Sequence, residues 1–356
     1  MPLTTLSEDE AFANPETALH LQNGRNGKAT LVDVAKYAGV SLKTASRVLN
    51  NEPDVSEVTA ERVRAVMDRL GYHPNLLARG LKTRASSIVG MIVPDISDPF
   101  TAAAIHSVMQ VARERNYTVV LTCSEGSPQI EQAQIETLLR RQIEGLIVMP
   151  ADQRSAYLAN LHTHNLPVVA FDQPIPNREI PGVAVTNREG ARLAVEHLLG
   201  HGYKKILAVG AKAHLHTISR RLLGYREAVD RAGCARMELI ASAEQGIELP
   251  ALHKFLSGKN AADAVFTLNS VATVRLLHLL GEEHVQIPKD VALACFDDFD
   301  LASAFSPSLT VVKQPVALLG RRSAELLFDQ KENPRRSVRI KLQTELIIRN
   351  SCGCGS

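Results

Sequence analysis

Hydrophobic residues recur at helical spacing between positions 29 and 73, and they predict three short helices. Their apolar faces are Leu31, Val34, Ala35 and Ala38; then Ala45, Val48 and Leu49; then Val63, Val66, Met67 and Leu70. Gly39 and Gly71 are stop signals, and Ser41 and Ser56 can cap the helices that follow them. Three short helices with a tight, glycine-containing turn between the first two predict a helix-turn-helix unit.

From Ile88 onward the pattern changes to short apolar runs that alternate with helical stretches. The predicted strands are 88–93, 118–122, 145–149, 167–171, 205–209, 264–268 and 291–296, and the predicted helices are 102–115, 128–141, 188–199, 219–232 and 270–280. This alternation predicts parallel sheets joined by crossover helices. About ten such units are too many for one sheet. The predicted fold class is therefore an all-α head followed by a two-lobed α/β core.

These patterns divide the chain into five segments. We predict a flexible tail (1–28), the helix-turn-helix unit (29–73), a linker (74–87), the core (88–350) and a second flexible tail (351–356). Within the core, the first lobe is assigned to 88–187 and 315–332, and the second lobe to 188–314 and 335–350. Ligands of open parallel sheets bind beyond the carboxyl ends of the strands, so the predicted site is the cleft between the lobes.

Composition and charge narrow the class of protein. Of the 356 residues, 45% are hydrophobic and 22% are charged, which is typical of a globular chain. Residues 28–84 hold ten basic and six acidic side chains, whereas the chain after residue 84 is nearly neutral. A basic module beside a neutral body favours nucleic-acid binding, although many solvated helices are equally basic.

The cysteines and the apolar runs predict a cytoplasmic protein without a membrane partner. The five cysteines are odd in number and scattered, as expected in a reducing compartment. Residues 1–16 lack the basic and apolar regions of a secretory signal. No apolar run approaches the roughly 20 residues that a membrane-spanning helix needs.

No pattern in the sequence indicates catalysis, so we predict neither an enzyme nor a cofactor. The motifs G-x-S-x-G, H-E-x-x-H and G-x-x-x-x-G-K-[ST] are absent. We also predict no metal site. His214 and His216 lack neighbouring carboxylates or thiols, and Cys352-Gly353-Cys354 matches neither a zinc knuckle nor a CxxC motif. That last segment is expected to be a solvated tail.

The segment Thr30–Asn50, TLVDVAKYAGVSLKTASRVLN, resembles the lactose-repressor family of bacterial transcription regulators. Further family-like blocks follow in order: LGYHPNLLARGL (70–81), IVPDISDPF (92–100), VVAFDQP (168–174), RLLGY (221–225), FDD (296–298) and LTVVKQP (309–315). The resemblance spans 29–351. It implies a helix-turn-helix head, a hinge helix and a periplasmic-binding-protein-like core, which together bind a palindromic operator and respond to a small effector. A dimer is expected, because a single head buries too little surface and two heads read two half-sites. No heptad pattern follows Arg349, so a coiled-coil tetramer is not expected.

The second helix of the head is predicted to read double-stranded operator DNA in the major groove. Its first turn carries Leu42 and Lys43, and Arg47 lies one turn later on the same face; such residues contact thymine methyl groups and guanine edges. Short polar residues suited to phosphates are Thr30, Ser41, Thr44, Ser46, Asn50 and Ser56. By resemblance, Leu81 is a minor-groove wedge. Each assignment has a structural alternative. Lys43 and Arg47 could form a solvated helix face, Ser41 could be only a helix cap, and Leu81 could pack on neighbouring leucines.

The resemblance also implies a set of effector-binding residues at strand ends and in neighbouring loops. Arg221 matches the family arginine that holds ligand hydroxyls or carboxylates, and Asp297 matches the carboxylate that accepts from sugar or base donors. The other candidates are Asp98, Phe100, Asp172, His216, Thr217 and Asn269. Each of them could instead be a helix cap or a surface pair. Ser270 departs from the family, in which an acid usually follows Asn269.

The predicted function is a DNA-binding transcription regulator, acting as a repressor, that a sugar or sugar derivative controls. A transport receptor would share the core, but it would need a secretion signal and would have no use for a basic head. The sequence leaves open the effector's identity and whether the effector releases or promotes DNA binding.

Overall fold

A computed structural model describes residues 29–72, 86–152, 156–163, 166–175, 180–242, 246–333 and 337–355. The chain forms two compact units that meet at Ser86 and Ser87, and each is described by itself. The predicted tail 1–28 and most of the linker, including Leu81, lie outside the described residues. No helix among the described residues is both long enough and apolar enough to cross a membrane.

The head consists of three helices around a small apolar core. They are α1 (Leu31–Tyr37), α2 (Leu42–Leu49) and α3 (Glu57–Arg69). Gly39 and Gly71 adopt positive φ angles of 62° and 57°, which end α1 and α3 without the steric penalty that a Cβ would bring. The core is built from the predicted faces, with Val34, Ala45, Val48 and Val63 at most 4% exposed.

The core alternates strands and helices. Its strands are β1 (Ile88–Val93), β2 (Thr118–Cys123), β3 (Leu146–Val148), β4 (Val168–Phe171), β5 (Gly182–Val185), β6 (Ile206–Ala211), β7 (Met237–Ala241), β8 (Ala264–Thr267), β9 (Ala292–Phe296), β10 (Thr310–Lys313), β11 (Arg339–Leu342) and β12 (Glu345–Ile347). Its helices are α4 (Pro99–Glu114), α5 (Pro128–Arg140), α6 (Ala156–Thr163), α7 (Asn187–Gly200), α8 (His216–Arg231), α9 (Leu249–Leu256), α10 (Ser270–Glu282) and α11 (Val316–Glu332).

Two six-stranded sheets form the two lobes. The first has the order β11-β5-β4-β3-β1-β2 and the second β12-β10-β9-β8-β6-β7. All pairings are parallel except that of β10 with β12. Successive strand residues point to opposite faces, so Met91 packs in one apolar cluster with α4 and α11, and Ile92 packs in another with α5. The predicted α/β fold class with parallel sheets is confirmed.

One lobe boundary needs correction. We assigned 335–350 to the second lobe, but β11 pairs in parallel with β5, so Arg339–Leu342 belongs to the first sheet. The chain therefore crosses between the lobes three times, after β5, β10 and β11. The third crossing was not predicted, because β11 is an edge strand whose side chains are at most half-buried and form no continuous apolar run.

The predicted flexible tail at 351–356 also needs correction. Asn350–Cys352 forms a 3₁₀ turn, in which the side chains of Ser351 and Cys352 are fully buried. Ser351 Oγ donates to Leu293 O (2.7 Å) and accepts from Thr310 N (2.8 Å). These bonds tie the last residues to β9 and β10. Ser356 itself lies outside the described residues.

Candidate functional site

The first turn of α2 presents a polar and apolar mixture to solvent. Ser41, Leu42 and Lys43 are exposed, and the opposite face of the helix is buried in the head core. Leu42 keeps 51% of its surface exposed to water, which is unfavourable for an apolar side chain. This side chain is therefore free to make an apolar contact with a partner. Arg47, one turn on, lies within 3.6 Å of Glu52 and 3.7 Å of Asp54. An exposed pair of this kind contributes about 1 kcal/mol or less, so DNA can displace it.

Three of the predicted phosphate ligands are N-terminal caps of the head helices. Ser41 Oγ accepts from Thr44 N (3.1 Å), and Ser56 Oγ accepts from Thr59 N (3.4 Å). Thr30 forms a capping box with Asp33, whose carboxylate accepts the Thr30 hydroxyl at 2.6 Å. The Thr30 hydroxyl therefore has its proton engaged inside the head. Ser41 Oγ and Ser56 Oγ also lie 2.9 Å from the hydroxyls of Thr44 and Thr59, where either atom can be the donor. A serine hydroxyl that accepts in both contacts can still donate to a phosphate oxygen.

The remaining predicted head residues differ in their positions. Thr44 and Ser46 are half-buried along α2, and the exposed Asn50 is its C-terminal cap.

In the core, Arg221 on α8 is the centre of a buried polar cluster. Its Nε donates to Asn187 Oδ1 (2.7 Å), and its Nη1 donates to Leu268 O (2.8 Å) and lies 3.4 Å from Asp297 Oδ2. The guanidinium carbon stacks 3.7 Å from the ring centroid of Phe296. Arg221 is only 4% exposed. Such a charge is stable in the interior only because it is paired and hydrogen-bonded.

Two aspartates at strand ends have left-handed backbone conformations. Asp172, after β4, has φ 59°, and Asp297, after β9, has φ 78°. Asp tolerates this region better than most residues, and the conformation redirects the carboxylate away from the strand direction. Asp297 accepts from Ser270 N (3.2 Å) and from the side-chain amide of Gln314.

The Asp172 carboxyl lacks a complete set of partners. Burial raises its pKa to about 7; the charge of Arg221 opposes this rise, and those of Asp297 and Asp98 add to it. Within the described residues, Asp172 Oδ1 and Gln314 Oε1 are buried and have no hydrogen-bond partner. Two buried acceptors in one cluster form a site that donors of a bound molecule can complete.

A direct hydrogen bond joins the two lobes at this cluster. Asp98, after β1 in the first lobe, accepts from Ser270 Oγ of the second lobe at 3.2 Å. Asp98 also caps α4 through Phe100 N (3.3 Å), and both burial and the charge of Asp297 raise its pKa. A carboxylate at position 270 would repel Asp98, whereas the serine hydroxyl donates a hydrogen bond to it.

Comparison with known proteins identifies the two parts of the chain. Residues 30–75 match the family model of bacterial regulatory proteins, lacI family, and residues 195–352 match a periplasmic binding protein-like domain. The ribose operon repressor of Halalkalibacterium halodurans is 32% identical over 326 residues, which are 90% of this chain and 96% of that protein. The chain belongs to the lacI family of bacterial regulatory proteins.

Two further likenesses support this assignment. The repressor PurR of Photobacterium profundum is 29% identical over 91% of this chain and 98% of its own length. The structure of a CelR–cellobiose complex is 28% identical with a TM-score of 0.67, and it covers 91% of this chain and 100% of its own. This lacI-family protein is therefore a transcription regulator with an operator-binding head and a core that binds a small effector.

In this regulator the predicted effector residues separate into groups. Asp98, Asp172, Arg221 and Asp297 come together. Phe100 lies in the first lobe with its ring 6.1 Å from that of Phe171. Asn269 Oδ1 accepts from Ala272 N (2.9 Å) and so caps α10, which is the alternative role given for it above.

His216 and Thr217 are the first two residues of α8. His216 borders a cavity of about 290 Å³ beside β5 and β11, together with Arg188, Arg220 and Arg339. Burial lowers the pKa of His216, as the nearby Arg220 does to a smaller extent. Thr217 is 6% exposed.

Two participants of the cluster escaped the sequence analysis. Asn187 is the first residue of α7 and accepts from Arg221, and Gln314 follows β10 and donates to Asp297. Both residues follow strands after which the chain crosses between the lobes, β5 and β10, and neither strand was predicted from the sequence. The position of Gln314 at a strand end within the family-like block LTVVKQP was the available signal.

Proposed function

We propose that this regulator represses transcription by binding a palindromic operator as a homodimer, and that a neutral carbohydrate-like effector controls it. The effector binds between the lobes, against Asp98, Phe100, Asp172, Arg221, Asn269 and Asp297. His216, which borders the cavity beside β5 and β11, and its neighbour Thr217 complete the proposed set. The protein acts in the cytoplasm, where its operator is, and has no enzymatic activity.

The observation that carries the effector class is the pair of buried acceptors without partners. Asp172 Oδ1 and Gln314 Oε1 need donors, and sugar hydroxyls supply donors in a closely spaced array. Phe100 offers an aromatic surface for the apolar face of a sugar ring. The names of the ribose operon repressor and of the cellobiose complex agree with this class.

Charge favours a neutral effector over an anionic one. Three carboxyl groups, of Asp98, Asp172 and Asp297, share the site with one guanidinium, that of Arg221. The guanidinium is already engaged by Asn187, Leu268 and Asp297. A sugar acid or sugar phosphate would bring a further negative charge into this partly compensated acidic site, which costs binding energy.

For DNA, we assign base contacts to Leu42, Lys43 and Arg47, and phosphate contacts to Ser41, Thr44, Ser46, Asn50 and Ser56. Thr30 joins this second set if its hydroxyl exchanges Asp33 for a phosphate oxygen. Leu81 is assigned to the minor groove. A single small head buries too little surface for tight binding, so two heads must act together on two half-sites. Exposed Met109 on α4 and Leu318 on α11 are candidates for the dimer interface, since these two helices pack side by side.

Calorimetric titration tests the effector assignment. Neutral sugars, sugar acids, sugar phosphates and nucleobases are titrated into the wild type and into Asp172→Asn and Arg220→Ala variants. We expect a neutral sugar to bind the wild type, to bind Arg220→Ala equally well, and to bind Asp172→Asn at least tenfold more weakly. Binding of anions alone, or dependence on Arg220 in place of Asp172, would assign the effector to the 290 Å³ cavity.

Selection of operators from random double-stranded DNA tests the other half of the proposal. We expect the selected sites to be two-fold symmetric, and the bound sugar to change their affinity for the protein. Asymmetric single half-sites, bound by one chain, would refute the homodimer.

A further inference from the structure

Four metal-ligating side chains meet at the surface of the second lobe, far along α7 from the effector cluster. His197 lies in the last turn of α7, and His201, one turn later, is the C-terminal cap of this helix. Cys352 and Cys354 lie in the terminal turn. One donor atom from each side chain lies within 4.8 Å of the other three. The sequence predicts a solvated tail and no metal site in this region, so only the fold brings these four side chains together.

The individual distances match the edges of a coordination tetrahedron. His197 Nε2 lies 3.2 Å from Cys352 Sγ and 3.6 Å from Cys354 Sγ, and His201 Nε2 lies 3.0 Å from Cys354 Sγ. With Zn–S bonds of about 2.3 Å and Zn–N bonds of about 2.05 Å at tetrahedral angles, S···N edges are about 3.5 Å. The other three donor–donor separations are at most 4.8 Å, against edges of about 3.3–3.8 Å, so shifts of up to about an ångström would place all four donors around one ion.

The backbone of the terminal turn is built to bring both sulfurs to the helix. Gly353, between the cysteines, has φ 91°, and a Cβ at this position would approach Tyr203 Oη to 2.9 Å. Glycine is therefore required by both conformation and space. Cys352 is fully buried, with its Sγ 3.1 Å from Thr310 Oγ1. The site is thus held by its surroundings and does not depend on a mobile tail.

We propose that His197, His201, Cys352 and Cys354 bind one structural zinc ion. Two imidazoles and two thiolates form a complete tetrahedral set, as in Cys₂His₂ sites, and leave no position for a substrate or water. Binding releases the two thiol protons to solvent and leaves both histidines neutral. The ion links the end of the chain to the C-terminal half of α7, whose first residue, Asn187, accepts from Arg221.

The test uses the full-length protein, purified under reducing conditions without a histidine tag. Elemental analysis after dialysis is expected to give about one zinc per chain in the wild type. Cys354→Ser and His201→Gln alter side chains at the edge of the site, outside the buried core, and each should lose most of the zinc. Cys234→Ser, which removes another partly exposed thiol, is the matched control and should retain it.

Cobalt provides a readout that does not depend on the purified metal content. Added to the metal-free wild type, Co²⁺ should give the visible bands of a tetrahedral thiolate site, and Zn²⁺ should abolish them. Chelation should lower the melting temperature of the wild type and of Cys234→Ser but not that of Cys354→Ser.

Two results would overturn the proposal. One is less than a tenth of an equivalent of zinc, both as purified and after zinc addition, together with no tetrahedral cobalt spectrum. The other is unchanged zinc content in both Cys354→Ser and His201→Gln. Retention of copper(I) in preference to zinc would overturn the choice of metal.

Discussion

Asp172→Asn should make the core more stable at alkaline pH, even though it removes a charge from a polar cluster. The Asp172 carboxyl is 5% exposed, and its Oδ1 has no partner among the described residues. Asparagine has the same shape and stays neutral at every pH. The variant therefore removes the cost of ionising a buried group, and it leaves the packing around β4 unchanged.

The sign follows from the raised pKa. Burial lifts the pKa of Asp172 from the usual 3.8 to about 7, so the folded state holds the proton more tightly than the unfolded state. Protonated Asp172 therefore favours the folded state. This contribution to the free energy of unfolding is complete below pH 4 and is lost as the pH rises through 7. At 1.36 kcal/mol per pH unit, the advantage of the asparagine variant should grow by about 3 kcal/mol between pH 5 and pH 8.

Urea unfolding at pH 5, 6, 7 and 8 measures this difference. Circular dichroism is the suitable probe because the chain has no tryptophan. The exposed Asp300→Asn serves as the control and should differ from the wild type by a constant amount. If the stability difference between Asp172→Asn and the wild type does not change with pH, the carboxyl is ionised and solvated at neutral pH, and the description of the cluster is wrong.

Three other substitutions test the remaining parts of the site. Arg221→Ala should abolish the effector response and cost about 3–5 kcal/mol in urea unfolding, because it leaves the Asp297 carboxylate buried without its cation; an unchanged effector affinity would contradict the assignment. Ser270→Asp should place a carboxylate against Asp98 and separate the lobes, raising the radius of gyration in small-angle scattering, whereas Ser270→Ala should not. Arg47→Ala should weaken operator binding by about 1–3 kcal/mol and relax base preference at one position, as competition binding with altered operators would detect; a loss that is equal for all DNA sequences would assign Arg47 to phosphates.

Much of the fold could be predicted because the sequence patterns are local. The helices of the head end at Gly39 and Gly71, whose positive φ angles the stop signals predicted. Long apolar strands such as β1 are evident in the sequence because buried parallel strands form continuous runs. The edge strands β7, β11 and β12 were missed, since their half-exposed residues carry no such run.

The site could be predicted only in part, because its geometry depends on residues far apart in the chain. Strand-end placement was enough to nominate Asp172 and Asp297, but neither their left-handed backbone nor the pKa of Asp172 can be read from neighbours in sequence. His197 and His201 form an H-x3-H pattern on one helix face. Their thiol partners lie about 150 residues further on, and sequence spacing cannot bring them together.

Helix α7 connects the two sites of the second lobe. Asn187 at its start orients the Arg221 guanidinium, and His197 and His201 near its end contact the terminal turn. Gly224 lets α8, which carries Arg221, lie directly against this helix, because a Cβ there would come within 2.1 Å of Arg188 O. A shift of α7 along its axis would therefore move Asn187, which accepts from Arg221 Nε, and would also press on α8 at Gly224. Zinc bound at the proposed site would fix the end of α7 to the terminal turn and limit that shift, and so would help to hold Arg221 in place from a distance.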